Sequence, residues 1–185
     1  GKHSGMDHTV IGYRIFLKLY TLEILNCMMR GIGDPGFKNM TIYELLQYLR
    51  TVKFAKEVDE KIYTIIEYLI NNHKQGLWVI INRNPTMDLG SSQTFKIVHV
   101  LKDTKNDVIQ VPLTSLSPYT GDFDGDVLNL WCLKTKRVAE AFTKALNPRY
   151  LILDPTGEDE LFNNDYSIIK DQITAINSFN QPLRN

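Results

Sequence analysis

The stretch "QGLWVIINRNPTM", residues 75–87, decides the fold, because the chain changes there from a helical to an extended pattern. Before Gly76, apolar residues recur at steps of three and four, which is the period of a helix. From Leu77 to Ile81 the chain is a continuous apolar run rich in β-branched residues, which is typical of a buried strand. Helices followed by strands, without regular alternation of the two, predict an α+β fold.

Three helices are predicted before this strand. The first begins at Tyr13 and ends before Gly31; the second begins at Thr41, which has the spacing of a capping box with Glu44; the third covers residues 56–72. The side chains predicted to face the core are Phe16, Leu17, Tyr20, Ile24 and Met28 in the first helix, Ile42, Leu45, Leu46 and Leu49 in the second, and Val58, Ile62, Ile65, Ile66 and Leu69 in the third.

More strands and a helix are predicted after it. Residues 94–101 and 107–113 are strand-like, and a strand–loop–strand pattern runs from 108 to 133. A helix follows with Val138, Phe142, Ala145 and Leu146 facing inward, then a strand near 150–154 and a weak helix over 165–178. The expected organisation is one unit, 1–185, with a helical insertion at 10–75, barrel strands and a metal loop at 76–133, and flanking helices and a strand at 134–185.

Composition narrows the class of protein. The chain has 185 residues, 43% of them hydrophobic, which suits one domain with its own core. Its 21 basic and 21 acidic side chains give zero formal net charge, which counts against a free-standing nucleic-acid-binding protein. Two cysteines, Cys27 and Cys132, and four scattered histidines form no zinc or disulfide pattern, so a reducing, cytoplasmic location is expected. Charges within the apolar run 11–29 argue against a membrane span.

The stretch "SPYTGDFDGDVLNLW", residues 117–131, places Asp122, Asp124 and Asp126 on alternate positions. An ordinary acidic turn is one interpretation. In an extended segment, however, alternate side chains point the same way, so the three carboxylates would converge and a divalent cation would offset their repulsion. Gly125 would let the backbone curve around such an ion.

A calcium-binding EF-hand loop does not fit the residues that follow. Val127 stands where that loop requires glycine, and Leu133 where it requires a bidentate glutamate. A magnesium site remains, and magnesium held by few protein ligands keeps positions for water and phosphates. The aspartates therefore indicate phosphoryl or nucleotidyl transfer.

The segment "INRNPTM", residues 81–87, is a second candidate. Arg83 follows an apolar strand, and Pro85 fixes the backbone two residues later. A solvated arginine in a turn is one interpretation. The other is an arginine held near the metal site, where its guanidinium would bind phosphate or sugar hydroxyls.

Taken together, the two motifs resemble the catalytic region of the largest, β′-type subunit of multisubunit DNA-dependent RNA polymerases. That family carries Asn-Arg-x-Pro-Thr and, after a strand region, Pro-Tyr-Asn-Ala-Asp-Phe-Asp-Gly-Asp. This chain has "NRNPTM" and "PYTGDFDGDVLNL" in the same order and at similar spacing. The resemblance covers most of residues 10–178 and is most specific at 77–88 and 117–131. It implies an α+β chain whose strands belong to a double-psi β-barrel, with a helical insertion and flanking helices.

The resemblance also implies a role for each site residue. The three aspartates, Asp122, Asp124 and Asp126, would hold the catalytic magnesium, and a second magnesium would arrive with the nucleoside triphosphate. Arg83 would contact the ribose hydroxyls of that nucleotide, and Pro85 would shape the pocket. The implied reaction is attack by the RNA 3′ oxygen on the α-phosphate, with pyrophosphate leaving. The implied partners are a β-type chain, the rest of the β′-type chain, the DNA template and the RNA product, with no membrane.

Some residues depart from the family pattern. Thr120 replaces an asparagine that helps family members to distinguish ribose from deoxyribose, so its part in sugar selection is open. Met87 and Asp88 replace a leucine and a histidine. The chain also opens close to the helical insertion, beyond the first barrel strands, and lacks the bridge helix and trigger loop. This pattern resembles the split largest subunits of giant-phage RNA polymerases, which act in the host cytoplasm.

Two other functions are compatible with the sequence. One is a cellular-type RNA-dependent RNA polymerase, which shares the barrel and an Asp-x-Asp-Gly-Asp loop but is disfavoured by "NRNPT". The other is a non-catalytic metal-binding or assembly module, in which the acidic loop only stabilises the structure.

Overall fold

The structure, a computed structural model, describes residues 5–83, 92–113 and 128–148. Its strands are β1 (His8–Gly12), β2 (Leu77–Arg83), β3 (Ser92–Leu101), β4 (Ile109–Gln110) and β5 (Leu128–Leu133). Its α-helices are α1 (Tyr13–Leu19), α2 (Thr21–Met29), α3 (Ile42–Phe54), α4 (Glu60–Asn72) and α5 (Lys136–Leu146), and a short 3-10 helix covers Pro35–Asn39. The predicted strand near 150–154 and helix over 165–178 lie outside the described residues.

The five strands form one curled sheet in the order β4-β1-β3-β2-β5. Strand β1 is parallel to β3, while the β1–β4, β2–β3 and β2–β5 pairs are antiparallel. The β1–β3 register shifts between Thr9 and Val10, which is the mark of a β-bulge. The predicted α+β class, with strands forming the barrel portion and helices around it, is confirmed.

Strand β1 was missed by the sequence analysis. It covers His8–Gly12, so a strand of the sheet precedes the helices, whereas no strand was predicted before Leu77. Its five residues are too few to show a strand period. The pairing with β3, which is remote in sequence, fixes its conformation.

The first predicted helix is two helices. The chain leaves helical geometry at Tyr20, whose φ is −118° and ψ is 31°. The Tyr20 ring is buried and stacks on Phe16 with the ring centroids 4.6 Å apart, and the Thr21 hydroxyl donates to the Leu17 carbonyl at 2.6 Å. The break turns α2 so that Ile24 is buried, whereas Leu22 is 63% exposed.

Helix α3 begins as predicted. The Glu44 backbone N–H donates to Thr41 Oγ1 at 3.2 Å, and the Thr41 backbone N–H donates to Glu44 Oε2 at 2.7 Å, which completes a capping box. Its core contacts were only partly predicted, because Ile42 and Leu46 are exposed. The prediction for helix α5 has the same kind of error, because Val138 was expected to face inward but is exposed, and Ala139 is buried in its place.

Helices cover both faces of the sheet. One face, here called the helical face, carries Leu77, Val79, Ile81, Phe95 and Ile97, and it packs against α1 to α4 in the main core. The opposite face, here called the α5 face, packs Ile80 against Phe142 and Leu146, with Trp131 and Leu133 at the border. Neighbouring residues of β2 therefore point to different cores, as the alternation of a strand requires.

Candidate functional site

The carboxyl end of β2 and the amino ends of β3 and β5 meet at one edge of the sheet. Asn82 pairs with Ser92 of β3 and with Asn129 of β5, and Arg83 pairs with Leu128. The two segments that carry the predicted site residues, 84–91 and 114–127, both join the sheet at this edge. The sheet thus brings the ends of the two sequence motifs together.

Buried polar side chains cluster at the same edge. Asn82, Ser92, Gln93 and Thr94 are each between 0% and 3% exposed. The Ser92 hydroxyl donates to Asn82 Oδ1 at 2.7 Å, which joins β2 to β3 through their side chains as well as their backbones. Burial of such groups costs free energy unless they form hydrogen bonds, so the bond holds the strand ends in a fixed register.

The alternation of the strands separates these residues onto two faces. Ser92, Asn82 and Asn129 form one cross-strand row on the α5 face, here called the strand-end polar row. Arg83 follows Asn82 and belongs to the helical face, beyond Ile81. A polar row on one face and an arginine on the other therefore flank the edge at which both motif segments begin or end.

The predicted site residues differ in what the structure shows of them. Arg83 is half-buried as the last residue of β2, as expected for an arginine that ends an apolar strand. Pro85, Thr120, Asp122, Asp124 and Asp126 lie outside the described residues, so the magnesium site stays a prediction. Within 5–83, 92–113 and 128–148, no three His, Cys, Asp or Glu side chains are grouped to hold a metal ion.

The strand-end polar row was not predicted. Asn82 belongs to the quoted "INRNPTM" motif, but roles were predicted only for Arg83 and Pro85. Ser92 and Gln93 lie before the strand predicted to start at 94, whereas β3 begins at Ser92. The sequence "SQT" does not by itself predict burial, because polar residues are normally exposed. These residues are buried because their strand pairs with β2.

Two ionisable groups, the buried Tyr20 and the partly buried Cys132, lie where β5 meets the first helices. Burial raises the pKa of the Cys132 thiol to about 11, and burial likewise raises the pKa of Tyr20 far above its ordinary value. The Cys132 thiol lies 3.7 Å from the Leu19 carbonyl oxygen, to which it donates. Both shifts favour the protonated form at neutral pH, which disfavours Cys132 as a thiolate nucleophile there.

Comparison with known proteins identifies the family. The sequence model of the family "RNA polymerase Rpb1, domain 2" matches residues 27–146, which include the end of α2, all of α3 to α5, the edge described above and the aspartate segment. The chain belongs to this family. The Rpb1 domain 2 match covers well over half of the chain and supports its resemblance to the largest RNA polymerase subunit.

Two curated relatives agree with this assignment. The chain is 23% identical over 175 residues to a DNA-directed RNA polymerase subunit beta′ of Plasmodium falciparum (isolate 3D7), and the match covers 89% of this chain and 29% of the relative. It is 31% identical over 112 residues to a subunit of the same name from Azobacteroides pseudotrichonymphae genomovar. CFP2, covering 57% of this chain and 7% of the relative. The chain therefore spans less than a third of either relative.

Of the helices in the described part of the chain, none is long and apolar enough to span a membrane.

Proposed function

We propose that this Rpb1 domain 2 chain forms part of the catalytic region of a DNA-dependent RNA polymerase. In this proposal Asp122, Asp124 and Asp126 hold the active-site magnesium, and Arg83 binds the ribose hydroxyls of the incoming nucleoside triphosphate. Pro85 and Thr120 shape the sugar pocket. The proposal rests on family membership, on the donor chemistry of the aspartates and on the geometry of the sheet edge.

The pairing of Arg83 with Leu128 is the observation that carries the proposal. Asp126 precedes Leu128 by two residues, and two residues span at most about 7 Å. In this proposal the last aspartate lies near Arg83, although the two are more than forty residues apart in sequence. A cation site beside a guanidinium suits a nucleotide. The cation would bind the phosphates, and the guanidinium would donate hydrogen bonds to the sugar hydroxyls.

The chemistry divides between the ion and this chain's residues. Bound magnesium would stabilise the negative charge that moves from the attacking 3′ oxygen to the leaving pyrophosphate. Three carboxylates at alternate positions fit such an ion, because it prefers oxygen ligands and offsets their mutual repulsion. The Arg83 guanidinium would orient the nucleotide, while the bond from Ser92 to Asn82 keeps the end of β2 in place.

The proposed partners follow from the share of the subunit that this chain covers. This chain matches 29% or less of the length of each beta′ relative. Most of such a subunit must therefore come from other segments or chains. We propose that the chain works with a β-type chain and the rest of a β′-type subunit on a DNA template, in a split arrangement like that of giant phages. Its activity would then be found in the host cytoplasm.

The test is RNA synthesis by the native complex. A tagged form of the chain is purified from its source with its partners, and incorporation of labelled ribonucleotides is measured on a DNA template across a magnesium titration. Asp124→Ala should reduce synthesis by about 100-fold or more, because it removes a ligand of the ion. Asp107→Ala is the matched control, since Asp107 is an exposed carboxylate whose contact with Lys18 is 4.0 Å long, and it should leave the rate within twofold.

The same assay separates the other two functions. Unchanged synthesis by the Asp124→Ala complex would identify a non-catalytic module and overturn the proposal. Synthesis on an RNA template but not on DNA would identify an RNA-dependent polymerase. Arg83→Lys keeps the charge but loses the planar fork, so it should raise the KM for ribonucleotides more than that for deoxyribonucleotides.

A further inference from the structure

Helix α3 presents an exposed apolar and cationic surface that the proposed catalytic role does not use. Here called the α3 outer surface, it consists of Ile42, Tyr43, Leu46, Arg50, Lys53 and Phe54. Its four large apolar side chains are between 43% and 78% exposed. With 3.6 residues per turn, these six positions fall within an arc of about 120° on one side of the helix. They form a continuous stripe and not four scattered exposures.

The adjoining side of α3 already has its partners. Leu45, Leu49 and Val52 are buried in the main core, so the exposed stripe is not needed to attach α3 to the rest of the chain. Burial of a second stripe would add stabilising free energy that the fold of a single domain does not require. The position and width of this stripe are typical of a helix that packs against a second partner beside the first.

The charges on the α3 outer surface are all positive. Arg50 and Lys53 lie among the exposed apolar residues, and neither forms an ion pair with any residue in the described part of the chain. The helix's acidic residue, Glu44, is engaged at the other side of the first turn in the capping box. A partner that covers the stripe also buries these cations. It must therefore supply carboxylates to pair with them.

The charge pattern also disfavours a second copy of this chain as the occupant. A two-fold interface presents the same patch from both sides, so Arg50 and Lys53 of one copy would face the same cations of the other. Like charges placed together across an interface lower affinity. A different chain with acidic residues has no such penalty, and membership of a multisubunit polymerase family means that such chains are present.

We infer that the α3 outer surface docks an acidic amphipathic segment of another subunit of the assembly. The segment places Leu- or Phe-type side chains against Ile42, Leu46 and Phe54, and its Asp or Glu residues pair with Arg50 and Lys53. Since α3 lies in the helical layer and not at the sheet edge that carries Arg83, this contact serves assembly and not chemistry. The inference relies on the family assignment and is independent of the magnesium proposal.

The experiment uses the native complex and a photo-reactive residue. Benzoylphenylalanine replaces Phe54, which is 78% exposed, and in a parallel sample it replaces Thr64 on the exposed side of α4. After illumination, cross-linked peptides are identified by mass spectrometry. We expect the probe at position 54 to mark a peptide of another subunit that carries more Asp and Glu than Lys and Arg, at a yield at least about tenfold above the probe at position 64.

Charge reversal tests the cations directly. The double variant R50E/K53E should lower the yield at position 54 about tenfold, because it sets like charges against the acidic segment. The matched control K74E/K105E makes the same change in net charge at two exposed lysines outside the surface and should leave the yield within twofold. Asp124→Ala should lower RNA synthesis without altering the yield, so the two proposals fail separately.

Four cross-linking results would overturn the inference. The first is a yield at position 54 no higher than at position 64, and the second is a cross-link to a second copy of this chain. The third is a cross-link to residues 154–165 of the same chain, whose sequence "DPTGEDELFNND" is acidic. The fourth is a cross-link to a neutral or basic peptide from another subunit. An unchanged yield in R50E/K53E would also overturn it.

Discussion

The two faces of the sheet are built differently. The helical face is covered by four helices and contains most of the buried apolar side chains, whereas the α5 face has a small cluster of Ile80, Phe142 and Leu146. The polar row of Ser92, Asn82 and Asn129 belongs to this second, thinner face. The helical face therefore supplies most of the apolar burial, while polar side chains of β2 and β3 are buried at the strand end, where packing alone would favour apolar residues.

The largest difference between the faces should appear when one large side chain is removed from each. Phe95→Ala leaves a cavity at a fully buried site of the helical face and should cost about 3–5 kcal/mol of unfolding free energy. Phe142→Ala on the α5 face should cost about 3 kcal/mol or less, because its small cluster can relax toward solvent. Pulse proteolysis in urea on the purified complex measures both values. Equal losses would show that the two faces contribute equally.

A glycine in the helical layer gives the next largest effect. Gly33 has φ +83°, and an added Cβ would lie 2.5 Å from the Lys61 carbonyl oxygen and 2.8 Å from Ile65 Cγ1. Gly33→Ala should therefore cost about 2–4 kcal/mol, from backbone strain and from displacement of α4. Gly31→Ala is the control: its φ is +75°, but its nearest neighbour is the flexible Lys38 side chain, so about 1–2 kcal/mol is expected. The same urea assay ranks them, and the reverse order would contradict the packing.

A smaller effect is expected on the α5 face. Ser92→Ala removes the donor to Asn82 Oδ1 in a buried environment and should cost about 1–2 kcal/mol. A double-mutant cycle with Asn82→Ala should give a coupling free energy of about 0.5–1.5 kcal/mol. Additive effects would mean that the bond does not hold β2 to β3.

The smallest change concerns reactivity and not stability. Since burial raises the pKa of Cys132 to about 11, its thiolate is scarce below that pH. We expect iodoacetamide to modify Cys132 in the native complex far more slowly at pH 8 than it modifies the urea-unfolded chain, with the rate rising as the pH approaches 11. Peptide mass spectrometry measures the modified fraction. Rapid labelling of the folded chain at pH 8 would show that the contact of β5 with α1 opens readily.

Sequence reasoning predicted the local features well. The capping box of Thr41 and Glu44, the start of α1 at Tyr13 and the β2 strand all depend on residues close together in sequence, and all three are confirmed. The family was also predicted from two short motifs. These features could be predicted because helix caps, hydrophobic periodicity and sequence motifs depend on residues that are close together in sequence.

The errors concern contacts between distant residues. Strand β1 exists because it pairs with β3, the polar side chains of Asn82 and Ser92 are buried because β2 and β3 pair, and Ile42 is exposed although it continues an apolar stripe. In each case a neighbour remote in sequence decides burial, and a single sequence does not name that neighbour. The roles of the three aspartates, Pro85 and Thr120 remain predictions.

The parallel pairing of β1 with β3 also sets the order in which the chain can fold. Thr9 pairs with Ile97, so the ribosome must complete nearly ninety further residues before β1 finds its place. The helices between them form local contacts first, and their packing shortens the loop that the late pairing must close. A newly made chain would therefore hold an unpaired β1 while those residues are made, which exposes this strand to misassembly before the sheet closes.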